Sequence, residues 1–210
     1  PTLVPDKLLG DKMPPNVDEI KFSLDGKPFH VKTFSLGFDD IGFRDDKKEI
    51  SQPFAVVLGD SFVYGHGVEV NDTFVEILQK NTGKEFVNMG VPSFGSTQAA
   101  NLYNAYGSQL NPEVVILIFF ENDYLDNLIF ENKKEPNPVT YWISQNSALY
   151  KLGKFVKDFQ FQINRWQVYQ TENETFYFYS DLFNRTFFDE RGEHMIELTK
   201  KSIEDIKSHN

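Results

Sequence analysis

Three short apolar runs recur along the middle of the chain, at residues 54–58, 86–89 and 114–120. Each run is too short for a helix, and its residues, apart from Asn88, are apolar at consecutive positions, which is typical of strands buried on both faces. Between them, residues 74–82 and 97–106 carry apolar positions at helical spacing, and Gly83 and Gly107 end the two patterns. This alternation of strands and helices predicts βαβ units and a parallel sheet, so the expected fold class is α/β.

The first fifty residues have a different pattern. Residues 1–16 are rich in Pro and Lys and have no periodicity, which predicts an extended arm. Residues 19–24 and 27–34 alternate apolar and polar positions around Asp25-Gly26, a strong signal for a β-hairpin. We therefore expect two parts, namely an N-terminal arm with a β-hairpin extension over residues 1–50 and an α/β domain over residues 51–210.

The pattern weakens after the third apolar run. Residues 126–139 are polar and interrupted by Pro, and no element is predicted there, whereas residues 148–163 have the spacing of an amphipathic helix. Residues 166–188 mix aromatic and polar positions, so irregular structure and paired strands both remain open. Residues 194–208 predict a helix whose apolar face is formed by Ile196, Thr199, Ile203 and Ile206.

Composition excludes several classes of protein. The net charge is −10 over 210 residues, and a nucleic-acid partner is not expected because phosphate binding needs a basic face. There is no cysteine, so disulfides and thiolate chemistry are excluded. No apolar run approaches the roughly 20 residues of a membrane span. These features are typical of a soluble globular protein.

Polar residues follow each of the three predicted strands, in the order Gly59-Asp60-Ser61, Asn88-Met89-Gly90 and Asn122-Asp123. Because the carboxyl ends of parallel strands meet at one edge of a sheet, these residues are expected to converge. A serine that attacks an ester needs hydrogen-bond donors aimed at the oxyanion that develops. The N–H groups of Ser61 and Gly90 and the side-chain amide of Asn122 can supply them. For an isolated Gly-Asp-Ser, a loop serine or a helix N-cap is the simpler interpretation.

The three segments, with Phe62, Gly65 and Gly67 after the first and Val91-Pro92 after the second, resemble the first three sequence blocks of the SGNH (GDSL-type) hydrolases. The resemblance covers residues 52–127. It implies a three-layer flavodoxin-like fold and a serine esterase or acyltransferase without a cofactor. It also implies an acyl, especially acetyl, ester of a carbohydrate or lipid as substrate, and it favours an exported, periplasmic or cell-surface location.

Two departures from the family pattern matter. Phe120 stands where the third block usually has Gly, which is tolerable because the expected donor is Asn122. The family's late Asp-x-x-His is missing, since Arg191 stands three residues before His194. We therefore expect the chain to lack the last part of the domain, to be nearly inactive, and to self-associate through the exposed sheet edge. The competing hypothesis is a non-catalytic module that binds carbohydrate or a partner.

Several acidic residues allow more than one role. Asp60 and Asp123 adjoin the expected nucleophile and the expected donor, and bracing their neighbours is the favoured role for both. The pairs Asp39-Asp40 and Asp45-Asp46 could bind a cation, but solvated loop charge is the simpler interpretation, so no metal site is expected. Aromatic residues between 141 and 188 could stack on sugar rings, although core packing is favoured.

Overall fold

The structure is a computed structural model. It describes residues 3–23, 26–45, 50, 52–132, 147, 166–170, 175–179 and 190–208. By its internal contacts the chain forms two compact units, one made of residues 1–132 with 194–210 and the other of residues 133–193. The expected N-terminal extension lies within the first unit.

Two antiparallel strand pairs open the first unit. Strand β1 (Val4–Asp6) pairs with β2 (Gly10–Lys12), and β3 (Asp18–Phe22) pairs with β4 (Pro28–Lys32). The second pair confirms the predicted hairpin. The first pair shows that the predicted extended arm over residues 1–16 contains two short paired strands. Two three-residue strands are too short to leave a periodic signal, yet Leu9 is completely buried beside them.

A parallel three-stranded sheet lies at the centre of the first unit and confirms the α/β class. Its strands are β5 (Ala55–Gly59), β6 (Phe86–Gly90) and β7 (Val114–Leu117), arranged in the order β6-β5-β7. The third strand ends at Leu117, three residues earlier than its apolar run, so residues 118–120 belong to the loop at the sheet edge.

Four helices follow these strands in the first unit, and they are α1 (Ser61–Tyr64), α2 (Phe74–Thr82), α3 (Ser96–Ala105) and α4 (Asp123–Glu131). Short 3-10 turns cover Val70–Asp72 and Gly107–Leu110. The helices α2 and α3 confirm the predictions. No element was predicted from residue 126 onward, yet α4 extends to Glu131. Asp123 and Asp126 lie in the first turn of α4, where their carboxyl groups interact favourably with the positive end of the helix dipole.

The last helix, α5 (Glu190–Ser208), begins four residues before its predicted start. In the other unit, β8 (Trp166–Gln170) and β9 (Thr175–Tyr179) pair antiparallel. Of the two alternatives left open for residues 166–188, paired strands are therefore correct at these ten residues. The helix predicted at residues 148–163 lies outside the described residues. The buried face of α5 is formed by Met195, Thr199, Ser202 and Ile206. The prediction that Ile203 lies on the apolar face of this helix was wrong, because its side chain is exposed. None of the described helices is both long enough and apolar enough to cross a membrane.

The sheet is covered on both faces, as the continuous apolar runs require. Alternate side chains point to opposite faces of a strand. Val56 and Leu58 therefore pack in one cluster with α3 and the N-terminal strands, while Ala55 and Val57 pack in another with α1 and α2. The N-terminal segment thus shares its core with the sheet. It is part of the frame that holds the carboxyl ends of the strands.

Arg44 joins the N-terminal segment to α1. Its guanidinium is completely buried and donates to the carbonyl oxygens of Tyr64, Gly65, Val68 and His30. The next residue, Asp45, is also buried, and its Oδ2 accepts a hydrogen bond of 3.1 Å from the N–H of Asn88 in β6. A solvated role for Asp45 was therefore wrong. Together these two side chains fix the end of α1 and one edge of the sheet.

Candidate functional site

The candidate site lies at the carboxyl ends of β5 and β7. The chain leaves β5 for β6 on one side and then crosses back to β7 on the other, so the connections diverge between β5 and β7. Open α/β sheets bind ligands at such a switch point. Ser61 follows β5 and Asn122 follows β7. These two predicted residues therefore flank the place where a ligand is expected.

Ser61 is the first residue of α1, directly after a sharp turn. Asp60 caps this helix, and its Oδ1 accepts from the N–H of Phe62 at 2.9 Å. At Gly59 a Cβ would lie 2.6 Å from Cγ2 of Val63 and 2.9 Å from the carbonyl oxygen of Ile118, so only glycine fits there. Ser61 is half-buried, and its hydroxyl forms no hydrogen bond with any described residue.

Asn122 is linked to the serine loop through its side-chain amide. Its Nδ2 donates to Oδ2 of Asp60 at 3.3 Å and to Oδ2 of Asp126 at 2.7 Å. The predicted bracing role of Asp60 is thus observed, whereas the carboxylate bonded to Asn122 within α4 belongs to Asp126 and not to Asp123. Sequence reasoning missed Asp126. Its spacing of four residues from Asn122 becomes a signal only once α4 is known to be a helix.

Gly90 lies at the end of β6, directly beside Gly59 of β5. A Cβ there would lie 2.3 Å from the backbone nitrogen of Tyr64, so the glycine allows α1 to pack against the sheet. The N–H of Gly90 already donates to Oδ1 of Asn88 at 3.0 Å. It can serve an oxyanion only if this bond is released or shared.

Replacement of Gly90 by Ala is expected to destabilise the protein by about 3 kcal/mol, because the new methyl group meets the backbone of α1 and not a flexible side chain. The measurement is the midpoint of urea unfolding. Gly83→Ala is the matched control. At Gly83 a Cβ meets nothing within 4 Å, so only the left-handed backbone (φ 66°) is penalised, by about 1 kcal/mol. Equal losses for the two variants would contradict the packing role of Gly90.

The carboxyl groups around Asn122 are desolvated. Burial raises the pKa of Asp123 to about 8 and the pKa of Asp126 to about 6, and the negative charge of Asp60 acts in the same direction on both. The Oδ1 atom of Asp123 is buried and has no hydrogen-bond partner among the described residues. Among the described residues, no three His, Asp or Glu side chains are arranged to hold a metal ion.

The rings of the described histidines contact residues other than Ser61. His30 pairs with Asp18 in the hairpin, and His194 of α5 pairs with Glu131 of α4. The ring of His66 packs edge-to-face on Phe29, and its partial burial lowers the pKa of the imidazole. Within the described residues, none of these rings forms a hydrogen bond with Ser61. His209 lies outside them.

Two aromatic rings stand beside the candidate nucleophile. The rings of Phe62 and Phe120 have centroids 4.7 Å apart and are tilted by 44°. Sequence reasoning considered Phe120 only as a departure from a glycine and did not consider the ring of Phe62. In the sequence, only position indicated that these rings belong to the site, because Phe62 directly follows Ser61 and Phe120 precedes Asn122 by two residues.

No known family model matches this chain, and comparison with curated proteins finds no relative. The likeness to the SGNH hydrolases therefore depends on the three sequence blocks and on where their residues lie. Of those residues, the structure joins Asn122 to the Ser61 loop through Asp60 and leaves Gly90 bonded to Asn88.

Proposed function

We propose that the protein is an SGNH-type serine esterase or O-acyltransferase with Ser61 as its nucleophile. The observation that carries this proposal is the hydrogen bond between Asn122 and Asp60, which connects the two strand ends that flank the switch point. It brings an amide donor to the loop of a serine whose hydroxyl has no hydrogen-bond partner among the described residues.

The strand order supports a flavodoxin-like fold. In that fold the first three strands are arranged 2-1-3, with the ligand between the first and the third. The order β6-β5-β7 is the same arrangement, and the helices lie on both faces of the sheet. The proposed fold is accordingly a three-layer SGNH-type sandwich preceded by antiparallel strands.

The proposed reaction begins with attack of Ser61 Oγ on the ester carbonyl while a base removes the hydroxyl proton. Negative charge then develops on the carbonyl oxygen and needs donors. The N–H of Ser61, in the first turn of α1, has no acceptor within the helix. The hydrogen bond from Asn122 Nδ2 to Asp60 is longer (3.3 Å) than the one to Asp126 (2.7 Å). The N–H that is bonded to Asp60 is therefore the easier one to release to the oxyanion.

The proposed substrate is an acyl ester of a carbohydrate or lipid, and the family pattern favours acetyl esters and an exported location. The chemistry needs no cofactor. Collapse of the tetrahedral intermediate releases the alcohol and leaves the acyl group on Ser61. Water then completes hydrolysis, or a second hydroxyl completes acyl transfer.

A fluorophosphonate probe tests the nucleophile. In a protein that also carries the Asp-x-x-His base, it should label Ser61, identified by mass spectrometry of the modified peptide, and Ser61→Ala should remove the label. Absence of labelling on any serine, under conditions that label a known SGNH hydrolase, would count against the proposal.

Replacement of Asn122 by Ala is expected to lower kcat by about 10²–10³ if its amide is an oxyanion donor. Since basal turnover is expected to be low, the rate constant for fluorophosphonate labelling is the second readout. Asn132→Ala is the matched control, because Asn132 caps the opposite end of α4 and is exposed. An unchanged rate in Asn122→Ala would refute the donor role.

The second candidate function is a non-catalytic module that binds carbohydrate or a partner. It is favoured by one observation, namely that the rings of the described histidines contact other residues and form no hydrogen bond with Ser61 among the described residues. The two functions predict different sequences beyond Asn210. An Asp-x-x-His in a following segment would supply the base and favour the enzyme, whereas its absence from the whole gene would favour the binding module.

A further inference from the structure

The two rings beside Ser61 are unusually open to solvent for large apolar side chains. Phe62 is 57% exposed and Phe120 is 43% exposed, although each is in contact with the other. Phe62 is covalently next to the proposed nucleophile, and Phe120 lies in the loop that leads to Asn122. We call Phe62 and Phe120 the aromatic pair.

We propose that the aromatic pair binds the hydrocarbon chain of the acyl group, and that the preferred ester carries a chain longer than the acetyl group that the family pattern favours. This inference rests on the proposed function, since it uses Ser61 to fix the acyl carbon. Phe62 is the residue after Ser61, so an acyl group bonded to Ser61 Oγ begins at the neighbouring residue of the chain. Apolar surface placed there would be removed from water together with the faces of both rings.

The tilt of the rings favours a chain over a sugar. A pyranose stacks its flat face on a single exposed ring. A thin, rotatable hydrocarbon chain can lie along two rings inclined at 44° to each other, whereas a rigid pyranose ring presents its flat face to only one of them. The alcohol portion of the ester, which lies on the other side of the carbonyl, is not constrained by this contact.

The charges around the site indicate that the chain is uncharged. Asp60, Asp123 and Asp126 surround Asn122, and none of them forms an ion pair with a Lys or Arg of the described chain. Glu121, next to Phe120, is exposed. A phosphorylated or carboxylated acyl group would meet the negative charges of Asp60 and Glu121 here, which opposes binding.

Binding to Ser61→Ala separates this inference from catalysis. We would titrate this variant with methyl acetate, methyl butanoate and methyl hexanoate and follow saturation transfer to the ester protons by NMR. Affinity is expected to rise about twofold to fourfold for each added methylene that the rings cover. Adding Phe62→Ala or Phe120→Ala should flatten this series. Phe22→Ala is the matched control, because Phe22 is also exposed (66%) but lies in the hairpin.

The outcomes are distinguishable. A chain-length series that persists after Phe62→Ala and Phe120→Ala, in variants whose thermal unfolding is unchanged, would overturn the inference. So would a flat series in the parent variant, or binding of methyl glucoside that depends on the same two rings. If the series depends on the rings but fluorophosphonate never labels Ser61, the apolar site stands and the proposed esterase function fails.

Discussion

Hydrolysis of p-nitrophenyl acetate by the 210-residue chain at pH 7–8 is expected to fall far below the ~10 s⁻¹ that is ordinary for enzymes. A serine hydroxyl is a poor nucleophile until a neighbouring base takes its proton. The rings of His30, His66 and His194 contact other residues, and none of them forms a hydrogen bond with Ser61 among the described residues. A well-placed Ser61 can therefore remain without a base.

The size of the expected loss follows from serine proteases. Removing the histidine of a triad costs about 2 × 10⁶ in kcat, and the remaining 10³–10⁴ over water comes from the oxyanion hole and binding. A chain in which the Ser61 hydroxyl is not activated should behave like such a variant. Its rate should then differ little from that of Ser61→Ala, which retains the same backbone donors.

The measurement is the initial rate of the chain minus that of Ser61→Ala at equal concentration. A Ser61-dependent rate approaching ~10 s⁻¹ would contradict the expectation. The next step would then be to replace His66, His194 and His209 by Gln one at a time. The variant that loses the rate would identify the base.

The parts of the fold that the sequence predicts are those whose signal is local. The run from Ala55 to Leu58 is apolar at every position because both faces of β5 are covered, and such a run has few alternatives. Thr73 and Gly83 bound α2 through a side-chain cap and a left-handed backbone, and both are visible in the residue types. The residues on either side of the switch point follow directly from these strand ends.

The missed parts depend on distant contacts. Arg44 looks like an ordinary surface residue in the sequence, yet four backbone carbonyls from two other segments meet its guanidinium in the core. Asp126 acquires its place only through α4, a helix that packs against α3 through Asn127. Residue type does not encode such partners, so neither contact could be anticipated.

Replacement of Asp123 by Asn is expected to raise the free energy of unfolding at pH 9 by several kcal/mol. In the folded protein, burial and the charge of Asp60 raise the pKa of Asp123 from 3.8 to about 8. Because the folded pKa is raised, the stabilising contribution is complete below about pH 4 and is lost as the pH rises through 8. Ionisation of the wild-type carboxyl then costs on the order of 5 kcal/mol.

An opposing effect is too small to reverse this result. A carboxylate in the first turn of α4 interacts favourably with the helix dipole, which contributes about 0.3–1 kcal/mol. Asn loses that contribution but carries no charge into a site where Oδ1 has no hydrogen-bond partner among the described residues. Desolvation therefore dominates above pH 8, whereas near pH 4 the two proteins should have similar stability.

Urea unfolding at pH 4, 6, 8 and 9 measures this dependence directly. Wild-type stability should fall across the series, and Asp123→Asn should remove most of the fall between pH 6 and pH 9. Asp126, with its pKa raised to about 6, accounts for a decline that is complete earlier and survives in this variant. Asp72→Asn, at an exposed position, is the control and should follow the wild type. If Asp123→Asn is the less stable protein at pH 9, the carboxylate is stabilised by its surroundings and the assignment of Asp123 as a desolvated acid is wrong.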